Sequence, residues 1–145
     1  MSAFFDRADE IGARIESLFG AGEIAVVVDR QKDIASEFKK HIGKVKGGVV
    51  VVEWRGAPSI NADLDELRMT TRFAVTVVCK PVIREKAGQA SADDIVQTIA
   101  ASLHNWIPEV GAHCMDELKV SSIAPVSSPQ FLIYVINIEQ PINAQ

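Results

Sequence analysis

Three stretches of the chain combine residue types that could do chemistry. His113 and Cys114 are adjacent, with His104 nine residues before the pair, so a thiol nucleophile with its base or a soft metal site is conceivable. Nucleophilic catalysis needs nucleophile and base aimed at each other, plus a third group that orients them. Adjacent side chains rarely aim at one another, and no glycine-rich elbow surrounds this pair. Zinc ligands recur at CxxC or HExxH spacings, which the chain lacks. Asn61-Ala-Asp63-Leu-Asp65 imitates the start of a calcium loop, yet Glu66 stands where glycine is needed and Arg72 where the closing glutamate belongs. Asp93-Asp94 is a carboxylate pair at the start of an amphipathic stretch, where capping and the helix dipole account for both. Phosphate cradles fail as well. Gly20-Ala-Gly22 follows a helical pattern and precedes an extended one, the reverse of the order that brings phosphate to a helix N-terminus. Gly43-Lys-Val-Lys-Gly-Gly48 ends in Val49 and has no Gly-Lys-Ser/Thr. The residues therefore offer no catalytic, cofactor-binding or metal site, and an enzyme is not expected.

Composition narrows the class further. The chain has 145 residues, 48% hydrophobic and 23% charged, the profile of one globular domain over 1–145. At that length folding buries roughly 68–70% of the unfolded surface, enough for a core without staples. Two cysteines, Cys79 and Cys114, make no disulfide framework, so a reducing compartment is expected. Met-Ser-Ala-Phe-Phe-Asp lacks the basic stretch and apolar run of a signal peptide. No apolar run approaches the length of a membrane helix, so no membrane association is expected. The net charge of −4 and the scattered basic residues argue against a dedicated nucleic-acid binder. A mildly acidic surface also disfavours adhesion to phosphates.

The elements that would position any site follow from periodicity. Ser2 can cap a helix over 3–19 whose stripe is Phe4, Ala8, Ile11, Ile15, Leu18 and Phe19, with Asp6, Arg7, Glu10, Arg14 and Glu16 on the other faces. Gly20 and Gly22 end it. Ile24–Val28 is β-branched enough to be a strand buried on both faces. A weaker helix spans 29–43 on Ile34, Phe38 and Ile42, and Gly48–Trp54 is a strand. Arg55 to Thr70 shows no period and predicts a long loop. Thr71–Lys80 alternates, with Phe73, Val75, Val77 and Cys79 on one face. After the polar linker 81–90, Ser91 caps a helix to Ile107, stopped by Pro108, that presents Ile95, Ile99, Leu103 and Trp106 to a core. Strands 118–125 and 131–138 close the chain as a hairpin around the turn 126–130, and 140–145 is a tail.

This order predicts an α+β fold. Its sheet would be mainly antiparallel, of about four to five strands, with an N-terminal helix and one long helix packed across it. Three stretches resemble bacteriophage tail-terminator and minor tail, or tail completion, proteins, including Mu-like prophage tail proteins. They are the opening helix 4–19, the strand Arg72–Lys80 leading into Asp93–Trp106, and the closing strand pair. A strand, an Asp-rich helix start and a Leu-x-x-Trp helix end resemble in particular the Mu-like prophage tail proteins of similar size.

The resemblance implies a structural protein without a catalytic mechanism. It would form a homo-oligomeric ring, commonly a hexamer, on the end of the tail tube. The ring would stop polymerisation of the tail tube protein and present a surface to a head–tail connector protein. Assembly would take place in the bacterial cytoplasm and leave the protein in the virion tail. Alternatives are a head–tail connector or neck protein, or a host regulatory domain that binds a small molecule. A closed ring needs a heterologous subunit contact. The loops 55–71 and 81–90 are the natural suppliers of contact residues: Arg55, Asp63, Asp65, Glu66 and Arg68 in the first, Arg84, Glu85 and Lys86 in the second.

Overall fold

Ala8, Ile11 and Ile15 fall on one stripe of helix α1 (Ala3–Ser17) and are fully buried. The computed structural model, an α+β fold, describes residues 3–29, 34–45, 47–57, 59–62, 67–80, 92–108 and 117–144. Behind α1 lies a mixed sheet. Strand β1 (Ile24–Asp29) leads through helix α2 (Ile34–Ile42) to β2 (Gly48–Trp54). β1 and β2 run parallel, from Ile24↔Gly48 to Asp29↔Glu53. Parallel neighbours need a crossover, and α2 supplies it. The β-branched run of β1 follows from this position. Ile24, Val26 and Val28 pack into the core under α1, while Ala25 and Val27 pack under α2 on the opposite face.

Strands β3 (Ser59–Ala62), β4 (Leu67–Cys79), β5 (Lys119–Val126) and β6 (Leu132–Ala144) complete the sheet. Five strands follow the order β1-β2-β4-β6-β5, and β3 joins β4 off that path. β4 pairs antiparallel with β2 and with β6, and β5 pairs antiparallel with β6. The sheet is thus mixed rather than mainly antiparallel as expected, because β1, α2 and β2 form a crossover unit. Helix α3 (Ala92–Leu103) buries Ile95, Val96, Ile99 and Leu103 against the same core that takes α1, with Phe73, Val75, Ile136 and Ile138.

Several boundaries differ from those read in the sequence. α2 is nine residues long, and Asp29 belongs to β1. α3 ends at Leu103, not Ile107, so among the described residues α1 with 15 residues is the longest helix. Asn105 takes the left-handed conformation (φ 63°), as a residue just past a helix end often does. Its N–H donates to the Leu118 carbonyl (2.8 Å), and the Leu118 N–H donates to the Trp106 carbonyl (2.9 Å). These bonds draw the chain away from the helical path before Trp106, which is half-buried. Arg7, expected on a solvent face, is buried and paired with Glu10 at 2.7 Å. The expected cap Ser91, and Ser2, lie outside the described residues.

The expected loop 55–70 is largely strand. Ser59–Ala62 pairs with Thr70–Leu67, and β4 begins at Leu67. The expected tail is strand too: β6 continues to Ala144 and pairs with β4 along its whole length. Pro141 is tolerated because β6 there has β4 as neighbour but no longer β5, whose pairing ends at Lys119↔Glu139. Gly48 is required by room. A Cβ there would fall on the Val78 carbonyl of the neighbouring strand.

Candidate functional site

β4 and β6 are each 13 residues long, but β2 reaches only to the pair Trp54↔Phe73. Beyond it, residues 67–72 of β4 and 139–144 of β6 run on together, and β3 takes the place of β2 on the other side of β4. A three-stranded extension therefore continues past the end of β2. Its junction with the body is the best-defined polar constellation in the described chain.

Gly56 makes the junction. Its φ of +92° is strained for other residues, and open space around it shows that conformation, not room, requires glycine. The Arg55 N–H donates to the Arg72 carbonyl (2.7 Å), and the Arg72 N–H donates to the Gly56 carbonyl (2.8 Å). Pairing with β4 thus passes from β2 through residues 55 and 56 toward β3. Trp54 Nε1–H donates to Thr71 Oγ1 at 2.7 Å, and the Thr71 hydroxyl donates to the Gly56 carbonyl at 3.4 Å. Phe4 stacks on Trp54 with ring centroids 4.3 Å apart and 11° between planes, and Phe5 meets it edge-on at 6.4 Å. The start of α1 is thereby tied to the root of the extension. Thr71 and Gln140, cross-strand partners on the core-facing side, are fully buried. On the opposite face Arg72 Nε donates to Glu139 Oε1 at 3.1 Å, an exposed pair that fixes register more than it stabilises.

Among the expected contact residues, Arg55 sits at this junction, exposed, its guanidinium 2.8 Å from Glu53. Arg68 lies in β4, opposite Asn61 and Asn143 in the ladders, and so belongs to a strand and not a loop. Asp63, Asp65, Glu66, Arg84, Glu85 and Lys86 lie outside the described residues. The topology still separates the two groups. Residues 63–66 connect to the first residue of β4, and 81–90 follow its last. A 13-residue strand spans about 40 Å at roughly 3.3 Å per residue. The described residues that flank the two segments thus lie at opposite ends of β4. Sequence reasoning missed Trp54, Thr71 and the Arg72–Glu139 pair as parts of a site. Gly56 beside Trp54 was the available signal, since a lone glycine after a strand marks a bulge.

Among the described residues, His104 and Asp93 are held in hydrogen bonds. His104 Nδ1 accepts the Val120 N–H at 3.1 Å. Asp93 accepts the Tyr134 hydroxyl at 3.0 Å, and that bond holds the phenol above its ordinary pKa. Among the described residues no group of three His, Cys, Asp or Glu could hold a metal ion. No helix among them is long and apolar enough to cross a membrane. His113 and Cys114 lie outside the described residues.

Burial pushes the Cys79 thiol up to about 11. In a Cys114→Ser background, Cys79 is therefore expected to resist a thiol-reactive dye at pH 8 and to react fully in denaturant; rapid labelling of the folded protein would contradict this. The unfolded thiol ionises near pH 9 while the folded one stays protonated, so stability falls as pH rises from about 9 toward 11.

Compared with known protein families, the chain matches no family model. Compared with curated proteins, it matches none at a significant level.

Proposed function

We propose that the chain is a structural tail protein of a bacteriophage or prophage. It acts as a tail terminator, forming a ring at the end of the tail tube and offering its other side to the head. The role involves no catalysis and no cofactor. The observation that supports it best is the pair of 13-residue strands β4 and β6. A ring between tube and head needs two separated contact surfaces on one rigid subunit. β4 carries residues 63–66 at one end and 81–90 at the other, and the paired β6 stiffens it throughout. In this reading α3 is the helix that lies across the sheet, and the body covered by α1 and α3 faces neighbouring subunits. Partners are further copies of the chain, the tail tube protein and a head–tail connector protein. Sequence-specific nucleic acid and membrane are not partners.

Opposite charges across an interface fix orientation and register more than they add affinity. Joint charge reversal of Asp63, Asp65 and Glu66 is therefore expected to leave the monomer folded by circular dichroism, weaken assembly and give tails of uncontrolled length. Normal assembly and normal tails from that triple variant would reduce 63–66 to a connector. The role itself is tested with purified components. Substoichiometric amounts of the chain, added to polymerising tail tube protein, should halt elongation and leave a ring at tube tips in electron micrographs. Unchanged tube lengths with no density at the tips would overturn it.

A further inference from the structure

Among the described residues, the two sides of the sheet differ in the sign of their net charge. Over the helix-covered side, α1 and α3 hold Asp6, Asp9, Glu10, Glu16, Asp93 and Asp94. Their only basic residues are Arg7 and Arg14. Arg7 is buried against Glu10, while Arg14 stands 4.6 Å over the Trp106 ring and donates to the Ser102 carbonyl at 3.0 Å. The α2 side is the reverse. Among the described residues Lys39, Lys40 and Lys44 are exposed there, and its carboxylates are Glu37, 3.6 Å from His41, Glu53, paired with Arg55, Glu139, paired with Arg72, and the half-buried Asp29.

Among the described residues the α2 side is also incompletely covered. α2 buries none of its own residues, and its stripe of Ile34, Phe38 and Ile42 is only partly buried. Beside it the sheet leaves Ile133 and Val135 half-buried and Val126 44% exposed. Val126 and Ile133 are cross-strand partners and so share this face. The helix-covered side has an uncovered apolar residue of its own, Ile123, 45% exposed and opposite Ile136.

We propose that the α2 side of one copy docks on the α1–α3 side of a second copy of this chain. Two like faces cannot pair well. Joining α2 sides would oppose lysines, and joining helix-covered sides would oppose carboxylates. Face-to-back contact matches opposite signs and brings apolar surface to both. Such a contact is heterologous, so it repeats from copy to copy and closes when the rotation permits. This deepens the ring component of the proposed function and rests on it only in requiring a second copy.

The test uses complementary charge swaps on the full chain. Asp9 and Glu16 are seven residues apart, on one face of α1; Lys40 and Lys44 are four apart. The variant D9K/E16K cancels the net negative charge of the helix-covered side and puts two cations on α1, and K40E/K44E makes both sides acidic. Each alone is expected to stay monomeric by light scattering at concentrations where the natural chain assembles. A 1:1 mixture should recover the assembled mass, with the two variants alternating. Assembly of the natural chain should also weaken in 1 M salt, where screening acts over about 3 Å. Circular dichroism of each variant confirms folding, and K40Q/K44Q, which adds no opposing charge, gives an intermediate loss. A natural chain that is monomeric throughout, variants that assemble like it, or folded variants that fail to recover on mixing would each overturn the docking. No tube protein enters this measurement, so docking can fail while tail termination stands, and the reverse.

Discussion

Phe73→Ala is expected to destabilise the protein by about 3–5 kcal/mol, the range for removing a buried aromatic side chain. Phe73 is fully buried and heads the largest enclosed side chains. It sits in the middle of β4, paired with Trp54 on one side and Ile138 on the other. Truncation would open a cavity where β2, β4 and β6 meet, and strands paired on both sides cannot move in to fill it. Domains of this size are typically stable by only about 5–15 kcal/mol, so the loss would consume much of the margin. The cavity would also lie beside Trp54, whose ring anchors Phe4 and donates to Thr71. Urea unfolding followed by tryptophan fluorescence should therefore show an earlier midpoint and a changed native emission. A midpoint within error of the natural chain would mean that this is not the core.

Leu103→Ala comes next, at about 2–5 kcal/mol, the range for a buried leucine. Leu103 is the last residue of α3 and has no exposed surface. Its position gives the substitution a second consequence. The chain just after it is stitched to the start of β5 through Asn105, Trp106 and Leu118. Leu118 is itself fully buried in the same core. Loss of the leucine should therefore loosen β5 as well as α3, and amide exchange should accelerate in both. Unfolding indistinguishable from the natural chain, or faster exchange confined to α3, would contradict this packing.

The parts of the fold legible in the sequence are those set by local pattern. The stripe of Ala8, Ile11 and Ile15 and the alternation of Phe73, Val75 and Val77 lead directly to α1 and the centre of β4. The parallel pair was legible in principle. Ile24–Val28 has apolar residues on both faces, and a helix separates it from another apolar strand, the signature of a crossover unit. Residues 59–62 and 67–70 were not legible. They become strands by pairing with each other and, for 67–70, with Pro141–Ala144, more than 70 positions away. Pro141 made that segment read as a tail. The end of α3 turned on Asn105, whose tolerance of left-handed backbone competes with the more obvious stop at Pro108. The charge of Arg7 predicts a solvent-facing position, whereas Glu10 one turn later lets it be buried. Of the expected contact residues, only Arg55 and Arg68 fall within the described chain, and neither belongs to a simple loop.

The measurement that bears most directly on the proposed tail-terminator role is tail length in a phage or prophage that encodes this chain, after its deletion. Electron micrographs of induced lysates should show tails of broadly distributed, excessive length and few joined heads. Supplying the intact chain in trans should restore a single length and head attachment. Tails of normal, uniform length joined to heads in the deletion strain would contradict the account.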